Sequence, residues 1–222
     1  MKIVALIPAY NEERTIQEII RNTKKFVSEV IVVDDNSTDR TKDLATLEGA
    51  NVISHKKNKG YGAAIITGIK YSLKEKADIV VLLDADTQHN PNEIDSIVKP
   101  LIENKGDLVI GSRFLNNMKI PVYRKFGIKF ITDLMNILTG AKITDAQSGF
   151  RAFSGKVLRE INLRENGMGI SVETIFKVKE KGFKIIEVPI SCQYEKIIHK
   201  INPISHGFQV VLSILTYFIK TL

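Results

Sequence analysis

The most constraining stretch of the chain is Asp78-Ile79-Val80-Val81-Leu82-Leu83-Asp84-Ala85-Asp86-Thr87-Gln88. A short apolar run rich in β-branched residues reads as a strand buried on both faces. Such a strand belongs to a parallel sheet covered by helices on either side. The run stops at two carboxylates one residue apart, where a turn of the chain lets both acids face one cleft. Acids so close repel each other unless a cation lies between them. Hard carboxylate oxygens suit Mg²⁺ or Mn²⁺, which commonly take substrate phosphates as further ligands. The amide oxygen of Gln88 can complete that set. The plainer reading of the same residues is an acidic turn capping the helix that Pro91 starts.

The rest of the chain supports the first reading. Residues 2–7 read as a first buried strand, broken at Pro8-Ala9-Tyr10-Asn11-Glu12, with Asn11 placed to cap the next helix. That helix carries Ile16, Ile19, Ile20, Thr23 and Val27 on one stripe. A second strand, Glu29 to Val33, ends in Asp34-Asp35-Asn36-Ser37-Thr38-Asp39, and a third covers Asn51 to Ser54. Asn58-Lys59-Gly60-Tyr61-Gly62-Ala63-Ala64 is a glycine turn opening a small-residue helix. After the fourth strand and its carboxylates, a helix over about 91–103 leads to a fifth strand, Asp107 to Ile110, ended by Gly111-Ser112-Arg113. This alternation predicts an α/β fold with a doubly wound, mostly parallel sheet and helices on both faces. Ligands of such sheets bind beyond the carboxyl ends of the strands. Those ends hold Tyr10, Asp35, Lys59, Gly60, Asp84, Asp86 and Arg113, an inventory that suits a nucleotide diphosphate with a metal.

Composition narrows the partners. The 222 residues carry a formal net charge of +7, which favours phosphates, an anionic membrane surface or nucleic acid. The chain has no Trp and no interleaving of aromatic with basic residues, which argues against a nucleic-acid platform. The single cysteine, Cys192, excludes an internal disulfide and fits a reducing compartment. No apolar run reaches the roughly 18–20 residues of a membrane span, and the first residues are too short a run for a secretory signal. The first strand is not followed by G-x-G-x-x-G, and no P-loop or nucleophile elbow occurs. The histidines (His55, His89, His199, His206) lack metal spacing and read as surface or cap residues, with His89 the one near the cleft.

Pro8-Ala9-Tyr10-Asn11-Glu12, Val33-Asp34-Asp35-Asn36-Ser37-Thr38-Asp39, Asn58-Lys59-Gly60, Asp84-Ala85-Asp86, Gly111-Ser112-Arg113-Phe114 and Asp145-Ala146-Gln147-Ser148-Gly149-Phe150-Arg151 follow one another in order. Together they resemble the inverting glycosyltransferases of family two with the GT-A fold, and most closely the dolichyl-phosphate mannose synthase type. The resemblance spans roughly residues 2–200. It implies metal-dependent transfer of a sugar from a nucleotide-sugar, GDP-mannose or a UDP-hexose or UDP-N-acetylhexosamine, to dolichyl or polyprenyl phosphate. Family-two transfer to a saccharide or protein hydroxyl, and a non-catalytic nucleotide-sugar-binding paralogue, are the alternatives.

The resemblance also implies site residues. Pro8, Tyr10 and Glu12 would border the nucleoside, beside Lys59 and Gly60. Asp35 would contact base or ribose, with Asp34 as its alternative. Asp84, Asp86 and Gln88 would surround Mg²⁺ or Mn²⁺. Arg113, Arg124, Arg151 and Lys196 would meet the acceptor phosphate. Asp145 would orient or deprotonate the acceptor, or anchor the loop beside Arg151. Glu173 would face the sugar or accept a hydrogen bond beneath it. One departure stands out. The mannose synthases place an arginine and a Ser-Lys pair shortly after the strand ending near Val188-Pro189, where this chain has Tyr194-Glu195-Lys196-Ile197-Ile198-His199-Lys200. Lysines supply charge there without the guanidinium fork, which leaves the sugar open.

Two segments read as amphipathic. Residues 119–142 begin basic and continue apolar, as a membrane-surface helix or a core-facing helix with a charged start. From Pro203 to Leu222, His206, Gln209, Ser213, Thr216 and Lys220 form one narrow polar stripe on an otherwise apolar helix. Such an arc needs a bilayer interface or a second subunit. The expected organisation is a catalytic domain over 1–200 and an amphipathic helix over 201–222. The expected location is the cytoplasmic face of a membrane, peripherally attached, with a homo-oligomer compatible.

Overall fold

The computed structural model describes residues 1–116 and 120–192. The strands are β1 (Ile3–Ala9), β2 (Glu29–Asp34), β3 (Asn51–Ser54), β4 (Ile79–Leu82), β5 (Leu108–Ser112), β6 (Arg151–Ser154) and β7 (Ile185–Pro189). They form one sheet in the order β3-β2-β1-β4-β6-β5-β7. The helices are α1 (Ile16–Thr23), α2 (Thr41–Leu47), α3 (Tyr61–Lys74), α4 (Ile94–Ile102), α5 (Val122–Thr139), α6 (Gly155–Glu160) and α7 (Ile170–Glu180).

Side chains alternate across each strand, and the helices sort by face. Val4 and Leu6 of β1 and Val80 and Leu82 of β4 join a core made with α3, α5, α6 and α7. Ala5, Ile7, Ile79 and Val81 join the opposite core with α1, α2 and α4. The doubly wound, mostly parallel α/β sheet expected from the sequence is the one observed.

The exception to parallel order shapes the site. β6 is antiparallel to both β4 and β5, with Arg151 opposite Leu82 and Ile110. The residues that precede β6 therefore lie at the same edge as the carboxyl ends of β4 and β5. Strand order reverses at β1, which pairs β2 on one side and β4 on the other. A crevice at such a reversal is where open α/β sheets bind ligands.

Several local expectations need correction. β1 runs through Pro8 to Ala9, with Pro8 opposite Val33, rather than stopping before the proline. Asn11 does not cap α1. It sits at φ +55°, and its Oδ1 accepts from the Thr38 N–H at 2.8 Å. Asn tolerates that left-handed conformation by bonding locally, and here it ties the β1 loop to the β2 loop. His55 and His89 are buried, at 8% and 6% exposure, not surface residues.

α5 lies in the segment expected to be amphipathic. It buries only Ile131, Thr132 and Met135, while Val122, Tyr123, Phe126, Phe130 and Ile137 are 58–79% exposed. No helix among the described residues is long and apolar enough to cross a membrane. Lys196, the Tyr194–Lys200 stretch, His199 and His206, the boundary at residue 200 and the helix over 203–222 lie outside the described residues.

Candidate active site

The β1 and β2 ends form one wall of the crevice. Tyr10 stands 45% exposed at the mouth, while Pro8 is buried beneath it. The Asn11 N–H donates to Ser37 Oγ at 2.9 Å, and the Glu12 N–H to Thr41 Oγ1 at 2.7 Å. These bonds lace the Pro8–Glu12 turn to the loop after β2. Asp34 accepts from the Ser37 N–H and closes that loop. Asp35 reaches the next segment. Its Oδ1 accepts from the Lys59 N–H at 2.9 Å and lies 2.6 Å from His55 Nδ1, while its Oδ2 accepts from the Gly60 N–H at 2.7 Å. His55 Nε2 meets Thr67 Oγ1 on α3 at 2.9 Å. Gly60 is required here, because its φ is +100° and a Cβ would come within 2.5 Å of the Asn166 carbonyl. Lys59 remains exposed at the rim.

The end of β4 forms the centre. Asp84 and Asp86 follow the strand into a turn in which Thr87 holds φ +61°, a rare conformation for a β-branched residue. The Gln88 N–H donates to Asp86 Oδ1 at 3.0 Å, and the Gln88 amide nitrogen donates to Asp86 Oδ2. Tyr61 Oη donates to Asp84 Oδ1 at 2.7 Å. The Asp84 N–H donates to His89 Nδ1 at 3.3 Å, so the neutral ring carries its proton on Nε2. Burial holds His89 down at about 4, leaving it neutral at physiological pH, and its ring stacks on Phe150 with centroids 5.1 Å apart. His89 is thus a prop beneath the turn. Burial, and then the Asp84 charge, push the Asp86 carboxyl above its ordinary range.

These residues fit a divalent cation. A cation relieves the repulsion that raises Asp86. Among the described residues no cluster of three His, Cys, Asp or Glu side chains is arranged to hold an ion alone. Two carboxylates with open positions left for water and phosphate match the habit of Mg²⁺. Gln88 departs from expectation in orientation. Its amide nitrogen faces Asp86, and its oxygen lies 3.9 Å from Cys192 Sγ.

The β5 end and the loop before β6 form the second wall. Arg113 grips Asp145 with two prongs, Nε to Oδ2 at 2.7 Å and an Nη to Oδ1 at 2.8 Å. Asp145 has no exposed surface. Glu187 on β7 accepts from the N–H groups of Thr144 and Asp145, at 2.7 and 2.9 Å, and fixes this loop. Arg124 lies half-buried in the first turn of α5.

With both walls in place, the chain can be set beside known proteins. Residues 4–162 match the family model for glycosyl transferase family 2. The chain belongs to glycosyl transferase family 2. It is 34% identical over 215 residues to the UDP-N-acetylglucosamine–dolichyl-phosphate N-acetylglucosaminyltransferase of Methanococcus voltae, covering 86% of each chain. It is 33% identical over 205 residues to the undecaprenyl-phosphate mannosyltransferase of Micrococcus luteus, covering 86% of this chain and 83% of the relative. A crystal structure of glucosyl-3-phosphoglycerate synthase from Mycobacterium tuberculosis, in complex with Mn²⁺, UDP and glucosyl-3-phosphoglycerate, superposes with a TM-score of 0.78. That match covers 97% of this chain and 79% of the synthase at 24% identity, a likeness of fold. The fold is GT-A, and the chain is a nucleotide-sugar glycosyltransferase whose relatives are of the polyprenyl-phosphate type.

In this glycosyltransferase one side-chain expectation changes, at Arg151, and one open alternative, at Glu173, is decided. Arg151, expected at the acceptor phosphate, is 2% exposed. Its Nε, Nη1 and Nη2 each donate at 2.8 Å to the carbonyls of Ser148, Ser171 and Ala146. Burial lowers it to about 10, so it stays charged beneath the carboxylates and away from solvent. The reason is strand direction: an antiparallel β6 begins at the rim and carries its first side chain under it. Glu173 is buried and accepts from the Arg164 and Glu165 N–H groups, the packing alternative of its two expected roles.

Tyr61, His55 and Glu187 were not expected in this glycosyltransferase site. Tyr61 sits inside the glycine turn Asn58–Ala64, which was the only hint. Nothing in a single sequence pairs it with Asp84.

Proposed function

We propose that this glycosyltransferase moves one sugar from a nucleotide-sugar, GDP-mannose or a UDP-hexose or UDP-N-acetylhexosamine, to a dolichyl or polyprenyl phosphate, with Mg²⁺ or Mn²⁺. The observation that carries the reading is the meeting of the Asp84–Asp86 pair and the Arg113–Asp145 fork at one sheet edge, in a chain whose relatives glycosylate polyprenyl phosphates.

Asp84 and Asp86 would hold the cation. Gln88 would join them once a half-turn of its amide presents the oxygen. When bound, the ion supplies Lewis-acid stabilisation to the departing nucleoside diphosphate. Tyr10, Pro8 and Glu12 would border the nucleoside with Lys59 and Gly60. Asp35, expected at base or ribose, is 3% exposed and would act from beneath, by holding the Lys59 and Gly60 N–H groups. Asp34 closes the loop behind Asp35.

The acceptor oxygen is a phosphate oxygen, anionic at neutral pH, which needs aiming more than deprotonation. Arg113 would supply that aim, with Arg124 at the start of α5 and Lys196 as further cations. A guanidinium fork matches phosphate geometry, and Asp145 pre-orients it. Asp145 is fully buried and paired, which favours an orienting role over that of a base.

The acceptor is a membrane lipid. The exposed Val122, Tyr123, Phe126 and Phe130 of α5, beside Arg124 and Lys125, fit peripheral attachment to a membrane surface, and the proposed face is the cytoplasmic one. A catalytic unit over 1–200 with a membrane- or partner-facing helix over 201–222 remains the proposed organisation.

The test is a panel of GDP- and UDP-sugars with a polyprenyl phosphate, with and without EDTA, following lipid-linked product. One donor giving product that EDTA abolishes is the expected result. Product with a saccharide acceptor alone, or none with any lipid, overturns the reading.

A further inference from the structure

We propose that Tyr61 is a positioning residue that sets the Asp84 carboxylate for cation binding. The inference rests on the metal-dependent reading above and deepens it. Tyr61 opens α3 directly after Gly60, and its Oη donates to Asp84 Oδ1 at 2.7 Å. The other oxygen, Oδ2, lies against Gly149, where a Cβ would approach it to 2.6 Å. The carboxylate is therefore tethered on one oxygen and flanked on the other by Gly149 and by His89 Nδ1 at 3.7 Å.

Both supports are rigid. The first turn of α3 is pinned from two directions, by Gly60 N–H to Asp35 Oδ2 at 2.7 Å and by Ala63 N–H to the Asn166 carbonyl at 3.1 Å. Gly62 leaves no room for slippage, since a Cβ there would come within 2.2 Å of the Glu165 carbonyl. On the far side, Arg151 holds the carbonyls of Ala146 and Ser148, and with them the loop carrying Gly149. A hydroxyl that donates to a carboxylate oxygen leaves lone pairs on both oxygens for a cation. It also removes the rotation that an end-of-strand Asp would otherwise have. Partners of this kind fix metal-binding carboxylates, and losing one typically weakens metal affinity about 10–100-fold.

The experiment is a Mn²⁺ titration followed by electron paramagnetic resonance, in the presence of UDP and separately of GDP. It uses the full chain as wild type, Tyr61→Phe and Tyr71→Phe. Tyr61→Phe keeps the ring that packs on the core and deletes only the hydroxyl. Tyr71→Phe deletes a hydroxyl that accepts from Asn51 Nδ2 at 2.7 Å, at the other end of α3. The expected result is Mn²⁺ affinity weakened roughly 10-fold or more in Tyr61→Phe and unchanged in Tyr71→Phe, at similar unfolding midpoints. The apparent KM for Mn²⁺ should rise while that for the lipid acceptor does not. Wild-type affinity in Tyr61→Phe, or an equal loss in Tyr71→Phe, overturns the role of Tyr61. Failure of the wild type to bind Mn²⁺ with either nucleotide overturns the metal reading itself.

Discussion

Asp145 is wholly buried, and both of its carboxylate oxygens accept from the guanidinium of Arg113. The pair joins the loop before β6 to the end of β5 and leaves the Arg113 side chain only 13% exposed. Its energetics decide how the loop responds to substitution, because an unpaired charge in this place has nowhere to be solvated.

Asp145→Asn should therefore act through Arg113. We expect turnover to fall about 10–100-fold with a raised KM for polyprenyl phosphate, the effect of a misplaced positioning group. The shape of the pH–rate profile should not change, since no base is lost. Asp145→Ala should cost about 3–5 kcal/mol of stability, the usual penalty for breaking a buried pair. Initial rates across pH and chemical denaturation check both. Near-normal turnover in Asp145→Asn would contradict the role.

Arg151→Met should show as lost stability rather than lost acceptor affinity. The substitution strips the carbonyls of Ala146 and Ser148 of the guanidinium donors and removes a second donor from the Ser171 carbonyl in α7. Each unsatisfied buried group costs about 1–3 kcal/mol. Urea titration should register several kcal/mol, and the KM for lipid in the folded fraction should stay within about twofold, below the effect of a lost phosphate contact.

Glu187 gives the fold a pH dependence of known sign. Burial raises its carboxyl above the ordinary value of 4.5, against the bonds from Thr144 and Asp145 that lower it. Between 4.5 and the raised folded value, the native state holds a proton that the unfolded chain has released. Its contribution to stability is then largest at low pH and declines as pH rises through that window. Glu187→Gln abolishes this titration and leaves an amide facing the Thr144 and Asp145 N–H groups. The wild-type advantage over the variant should shrink as pH rises above about 4.5, as read from denaturation midpoints across pH.

Gly60→Ala should destabilise the nucleotide wall. The residue holds φ +100°, and the added Cβ would meet the Asn166 carbonyl at 2.5 Å. A cost of at least 1–2 kcal/mol is expected from backbone strain alone. A lowered Tm, together with weakened UDP or GDP binding by calorimetry, is the readout.

The legible part of this protein is the part written in short-range pattern. Apolar β-branched runs ending in Asp35, Asp84 and Arg113 announced parallel strands and the edge that carries the site. The illegible part depends on strand direction and on long-range pairing. β6 is four residues long and includes a buried arginine, so no pattern marks it as a central antiparallel strand. The resemblance put Arg151 at the acceptor phosphate, whereas the antiparallel strand carries it beneath the rim. Tyr61 and Asp84 lie 23 residues apart, and Asp145 and Glu187 lie 42 apart. Only the assembled sheet brings such groups together.

In the proposed reaction Asp84 and Asp86 grip a divalent cation, and through it the diphosphate of an activated sugar. The most direct test of this grip is a crystal grown or soaked with Mn²⁺ and UDP or GDP and examined by anomalous scattering. The expected result is a Mn²⁺ peak within about 2.0–2.3 Å of oxygens from this pair, the coordination range of hard cations, bridged to the nucleotide phosphates. A nucleotide bound in the crevice with no anomalous peak at Asp84 or Asp86 would contradict it.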